Sequence, residues 1–155
     1  MCRREAGYSL VELVLVIVIL ATIGMLAGPR FFDNDAFDER GYYDELASAL
    51  RYAQKIAVAS GCRVAVDITV NTYALSQQAP LAGHCDPTDA SFPLAVRLST
   101  GDVVSGTAPG SIVTAPPITI VYDALGRTNL AADQVISVGS RSLTVEASSG
   151  LVVTP

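Results

Sequence analysis

The sequence predicts an α+β protein. A long N-terminal helix, half transmembrane and half amphipathic, packs on an antiparallel β-sheet. Three observations predict this. Residues 10–28 are almost uninterruptedly apolar, residues 37–60 repeat apolar positions at spacings of three and four, and from residue 64 the period falls to two in short runs punctuated by Gly and Pro. A length of 155 residues suits one domain with an N-terminal extension.

The apolar run L-V-E-L-V-L-V-I-V-I-L-A-T-I-G-M-L-A-G spans about 28 Å as a helix, close to the hydrocarbon thickness of a bilayer. Arg3 and Arg4 precede it and only Arg30 follows closely, so the positive-inside bias places the N-terminus in the cytoplasm and the body outside. A secretory signal cut after Ala27 is the competing reading. Glu12 argues against it, because a carboxylate within lipid costs a few kcal/mol and calls for a partner. A cut after Gly7 would supply one. Tyr8 would then carry the new terminal amine, one helical turn before Glu12, and pairing between neighbouring subunits would select a stagger between packed helices. Pro29 removes a helix hydrogen bond and disfavours helical geometry at Gly28, which predicts a kink or local melting near residues 24–29, helped by Gly24 and Gly28.

The segment R-R-E-A-G-Y-S-L-V-E-L followed by the apolar helix resembles the class III signal peptide of type IV pilins and type II secretion pseudopilins. The resemblance implies a leader of residues 1–7, cleavage between Gly7 and Tyr8 by a prepilin peptidase, and methylation of Tyr8 where relatives usually carry Phe. It also implies assembly through Glu12, at the fifth mature position. A transmembrane helix over residues 8–30 and an extracytoplasmic domain over residues 31–155 complete the expected organisation. The implied partners are other pilin or pseudopilin subunits, the peptidase, membrane lipid and the inner-membrane assembly platform. The implied location is the bacterial inner membrane, single-pass with the N-terminus cytoplasmic and the body periplasmic, and then a pilus or pseudopilus.

Residues 31–36, F-F-D-N-D-A, read as a break or capping region before the second helix. From residue 37 to about residue 60, Tyr42, Leu46, Ala49, Leu50, Ala53, Ile56 and Ala57 form the apolar stripe, and Gly61 closes the helix. Glu45, Arg51 and Lys55 lie on the opposite face, towards water or a neighbour. Val64, Val66, Ile68 and Val70 then alternate with Arg63, Ala65, Asp67 and Thr69 as a half-buried strand, and residues 73–76 return. Residues 79–91 read as a long loop. Further strands are expected at residues 94–99, 112–113, 118–122, 135–138, 143–146 and 151–154. The stretch I-V-Y-D-A-L-G-R and the later G-L-V-V resemble the H-type pseudopilin and minor-pilin branch. R-F-F-D and D-E-R-G-Y-Y-D-E are similar to minor pilins of the mannose-sensitive haemagglutinin pilus.

Of the three cysteines, Cys2 lies in the expected leader, and Cys62 and Cys85 remain in the exported body with no third mature thiol, so a disulfide between them is expected in an oxidising compartment, the alternative being two unrelated thiols. No motif supplies catalysis, a metal site or a cofactor. His84, the sole histidine, has no local partner for metal binding or nucleophilic work, and Asp33, Asp35, Asp38 and Glu39 lack the spacing of a calcium loop. The chain is therefore expected not to be an enzyme. Its net charge of −5 becomes −6 once the leader is removed, which disfavours nucleic acid as a partner. Arg127 and Arg141 read as isolated surface charges. The resemblance leaves a minor subunit of a type IV pilus or of a type II secretion pseudopilus. The alternatives are a DNA-uptake minor pilin, for which the C-terminus S-S-G-L-V-V-T-P offers no basic residues, and a signal-anchored periplasmic enzyme.

Overall fold

The computed structural model describes residues 9–27, 34–86 and 88–155, and the chain divides into two compact units, Met1–Ala36 and Phe37–Pro155. Of the break or capping region expected at residues 31–36, residues 31–33 lie outside the described residues and 34–36 are already helical; of the kink or melting expected near residues 24–29, residues 28 and 29, Pro29 among them, lie outside the described residues and 24–27 belong to a helix.

The first unit holds α1, Leu10–Ala27, a helix with Glu12 in its first turn and no basic residue in its last. The second helix, α2, runs Asn34–Ser60, three residues longer at its start than the apolar spacing indicates. Gly61 ends it. The Gly61 N–H donates to the Ala57 carbonyl (3.0 Å) at a φ of 68°, a left-handed geometry that glycine adopts without a Cβ penalty.

Among the described residues nine short strands follow: β1 Val64–Ile68, β2 Thr72–Gln77, β3 Leu94–Ala95, β4 Ser105–Thr107, β5 Thr114–Ala115, β6 Ile118–Tyr122, β7 Gln134–Val138, β8 Arg141–Val145 and β9 Val152–Val153. They form two antiparallel sheets. The first has the order β3-β2-β1-β6, with β4 also pairing β2; the second has the order β5-β7-β8-β9. In the first, Val66 lies opposite Leu75 on one side and Ile120 on the other, and Ile68 lies between Tyr73 and Ile118. The fold is α+β with antiparallel sheets, and the single sheet expected from the sequence is divided in two.

That division explains the width of the buried stripe on α2. Tyr42, Leu46, Ala49, Leu50, Ala53 and Ala57 are buried as the spacing predicts, and Tyr43 and Ala47 beside them are buried as well. All join one core with the inward residues of both sheets, among them Val66 and Leu75 from the first and Ile136 and Leu143 from the second. Burying each such Val, Leu or Ile is worth about 1.5–3 kcal/mol. Ala65 and Val121 depart from strict alternation: cross-strand partners on the outer side of β1 and β6, both are buried.

Several strand ends shift by one or two residues, and three departures from expectation change the layout. The apolar run at residues 94–99 contributes only β3 and an isolated bridge between Arg97 and Val103. The strand expected at residues 112–113 forms two residues later as β5. The strand β4 reads Ser-Gly-Thr, which has no apolar alternation to announce it.

Candidate functional site

α1 exposes apolar surface on every side. From Leu10 to Ile23 its large apolar side chains are between 43% and 78% exposed, a surface that water does not tolerate and that lipid or partner helices would cover. Glu12 is the one charged residue on this helix. Its backbone N–H donates to the Ser9 carbonyl at 3.0 Å, which places it in the opening turn, and its side chain is exposed. Gly7, Tyr8 and Pro29 lie outside the described residues. Among the described residues no helix is long and apolar enough to cross a membrane. At 18 residues α1 rises about 27 Å, just short of the roughly 20 residues a span requires, and the expected membrane segment 8–30 extends past both its ends.

In the body, the polar face of α2 is more engaged than its sequence suggests. Glu45 accepts a hydrogen bond from the Tyr73 hydroxyl at 2.6 Å. Burial pushes the Tyr73 hydroxyl pKa well up, and the bond to Glu45 raises it further. Arg51 donates to the Val152 carbonyl (3.2 Å) and to Thr154 Oγ1 (3.4 Å), tying the C-terminal strand to the helix. Gln54 Nε2 donates to two turns at once, to the Gly126 carbonyl at 2.9 Å and the Ser149 carbonyl at 2.8 Å. Of the three residues expected on the free face, Lys55 alone has no hydrogen-bond or ion-pair partner among the described residues.

The arginines read as isolated are not. Arg127 Nη2 lies 2.8 Å from Asp123 Oδ2, and Arg141 Nε lies 3.8 Å from Glu39 Oε1 with its guanidinium 5.9 Å from the centre of the Tyr43 ring. The Ser140 hydroxyl donates to Glu39 at 2.6 Å. That bond holds the Glu39 carboxyl below its ordinary range, with a smaller contribution from the Arg141 charge.

Cys62 and Cys85 form a disulfide, with Cα atoms 5.1 Å apart and a separation of 23 positions in sequence. Gln78 sits beside it and is 1% exposed. Its Oε1 accepts the Arg63 N–H at 2.9 Å, and its Nε2 donates to the Asp86 carbonyl at 3.0 Å and to the Asp89 carbonyl. One buried amide and one covalent bond, with the Arg63 Nη1 donating to the Asp89 carbonyl at 3.3 Å, thus hold the loop of residues 79–91 to the first sheet. Sequence periodicity could not find Gln78, because it follows the last residue of β2 and breaks the alternation that buries Tyr73 and Leu75.

His84 closes a tight turn in which the Leu81 and His84 backbones exchange hydrogen bonds of 2.8 and 3.1 Å. Among the described residues no three His, Cys, Asp or Glu side chains gather as a metal site. An apolar cleft of about 370 Å³ lies between α2 and the turn that links the Arg97–Val103 bridge, with Glu45, Ala49, Tyr52, Leu98 and Val103 in its walls.

A family model described as type II transport protein GspH matches residues 43–151, and one described as the prokaryotic N-terminal methylation motif matches residues 2–28. No curated protein matches significantly. Among solved structures, the type IV minor pilin FimU of Pseudomonas aeruginosa is similar in two crystal forms. One has a TM-score of 0.53 at 13% identity and covers 78% of this chain and 90% of that one; the other has a TM-score of 0.50 at 12% identity and covers 75% and 91%. At such identities the likeness is one of fold.

Proposed function

We propose, from the premise that the chain belongs to the type II transport protein GspH family, that it is a minor filament subunit. It would serve in a type II secretion pseudopilus or a type IV pilus, and would be assembled through its N-terminal helix. The observation that carries this reading is the joining, in one chain, of a methylation motif over residues 2–28 to a GspH-type body over residues 43–151. The family and its fold are those of structural pilins rather than enzymes.

In this reading a prepilin peptidase cuts between Gly7 and Tyr8 and the Tyr8 amine is methylated. The apolar surface of α1 anchors the subunit in the inner membrane, with the body facing the periplasm, and later packs among neighbouring helices. Glu12 is the element of specificity. A carboxylate in lipid is costly when alone and cheaper when it meets a cation, so the Tyr8 amine of an adjacent subunit would lower the cost and favour one stagger. Pro29 would introduce a kink where the helix leaves the membrane.

The test is the mass of the mature N-terminus, taken from membranes of a host that contains prepilin peptidase. A chain beginning at methylated Tyr8 is expected. An N-terminus at Gly28, or an uncut chain, would overturn the assignment.

A further inference from the structure

The cleft between α2 and the turn of residues 97–103 is preformed, and one acid stands in its wall. Ala49, Tyr52, Leu98 and Val103 give it apolar sides, and Leu98 and Val103 remain 45% and 39% exposed. The turn is closed by its own backbone: the Leu98 N–H donates to the Asp102 carbonyl and the Gly101 N–H to the Leu98 carbonyl, at 2.9 Å each. Its base is tied to the helix, where the Tyr52 hydroxyl donates to the Arg97 carbonyl at 3.3 Å. An occupant therefore finds both walls in place and loses little to ordering them.

The acid is fixed as well. Glu45 Oε1 accepts the Tyr73 hydroxyl at 2.6 Å, and Gly106 makes room for the pair, since a Cβ there would collide with both side chains. A hydroxyl is a neutral donor, and no cation lies within salt-bridge distance of Glu45 among the described residues. The negative charge at the cleft is left for something outside the chain to meet.

A second copy of this chain is poorly suited to meet it. Cut after Gly7, the chain carries a net charge of −6, which repels its like. Arg40, Arg127 and Arg141 are paired with Asp44, Asp123 and Glu39, and Arg51 and Arg97 are turned to the carbonyls of Val152 and Gly101. A minor subunit stands among different chains, and these can bring the cation.

We propose that the cleft receives a different subunit of the same filament: an apolar side chain of that neighbour enters between Tyr52 and Leu98, and a lysine or arginine beside it pairs with Glu45. This rests on the filament reading and deepens it, naming the surface used and the chemistry of the neighbour. An apolar recess beside an uncompensated carboxylate selects such a segment in two ways. Burial of apolar area supplies affinity, and the charge rejects acidic neighbours.

The test places the photo-reactive amino acid p-benzoylphenylalanine at Leu98 of the full-length protein, in cells that make the whole set of filament subunits. After irradiation the joined peptides are identified by mass spectrometry. The expected adduct is with a different subunit that carries an N-terminal methylation motif, at an apolar residue within about four positions of a lysine or arginine. The same probe at Leu125, whose turn rests on Gln54 and Val58, should not capture that segment. Glu45→Lys should cut the Leu98 adduct at least about tenfold, and exchanging the neighbour's cation for glutamate should restore it. Glu45→Gln, which keeps an oxygen for the Tyr73 hydroxyl, should lower it severalfold. Protection of Cys62 and Cys85 from alkylation checks the folding of each variant. No adduct, an adduct with another copy of this chain or with lipid, or a captured segment without a cation would overturn the inference. So would an adduct undiminished by both Glu45 substitutions. The N-terminal mass of the same sample keeps the two readings apart. A chain cut after Gly7 that gives no adduct overturns this contact alone, and an uncut chain that gives the adduct overturns only the processing.

Discussion

Replacing Gln78 with leucine keeps the volume of a buried side chain and deletes its three hydrogen bonds. The Arg63 N–H and the Asp86 and Asp89 carbonyls would be left without their amide partner beside a side chain that is 1% exposed. The Arg63 N–H left unsatisfied costs about 1–3 kcal/mol, the two lost bonds to carbonyls of the exposed Asp86 and Asp89 cost about 0.5–1 kcal/mol each, and the apolar burial of leucine returns about 1–2 kcal/mol, so a net loss of about 1–3 kcal/mol is expected. The body beginning at Phe37 is suited to the measurement, because the whole buried core lies within Phe37–Pro155. In urea, at a slope of about 2 kcal/mol/M, the midpoint should fall by about 0.5–1.5 M with the disulfide intact. Gln77→Leu is the control. That neighbour bonds only the exposed Ser60 hydroxyl, at 2.7 Å, and should change stability by less than about 1 kcal/mol. If Gln78→Leu kept the wild-type midpoint to within about 0.3 M, the buried amide would not be what holds the loop of residues 79–91.

Three further outcomes are expected. Glu12→Leu in the full-length chain should leave membrane insertion intact and reduce incorporation into filaments; co-assembly equal to wild type at matched abundance would sink the assembly role. Ser140→Ala should raise the Glu39 pKa towards its ordinary value, read from the carboxyl carbon by NMR titration, and an unchanged titration would refute the hydrogen bond as the cause. Because the folded-state value is depressed, the Glu39 contribution to stability is present above the unfolded carboxylate range of about 4.3 and is lost as pH falls through the folded value. The alanine variant should therefore lose less on acidification. Finally, Cys62 and Cys85 should resist alkylation before reduction. The Cys62→Ser, Cys85→Ser double variant should lose about 3 kcal/mol in urea, the chain-entropy value for a loop of this length, and ready labelling of either thiol in native protein would contradict the bond.

Some of the body was legible because the signal is local. The three-and-four spacing from Tyr42 to Ala57 reports a helix with one apolar face, and the alternation of Val64, Val66 and Ile68 reports a strand with one buried side. Neither pattern says what lies against the buried face. Two sheets rather than one cover α2, and this explains why Tyr43 and Ala47 are buried alongside the expected stripe. Polar residues on the other face were harder to place for the same reason. Arg51 finds the Val152 carbonyl 101 residues away and Gln54 finds that of Gly126 72 residues away, distances over which periodicity carries no information.

The sequence by itself determined the apolar helix with its single carboxylate, the amphipathic helix after it, and the change to short alternating strands. Each follows from the order of apolar and polar side chains along a few turns or a few residues. It also supplied the two cysteines that can cross-link an exported body. Only the tertiary structure decided that those cysteines meet, that Gln78 is buried beside them, that the strands divide between two sheets, and that Lys55 alone of the charged trio on α2 has no partner among the described residues. These depend on which distant backbone carbonyls and side chains the folded chain brings within about 3 Å, because a hydrogen bond or ion pair is satisfied by proximity in space and leaves no period in the sequence.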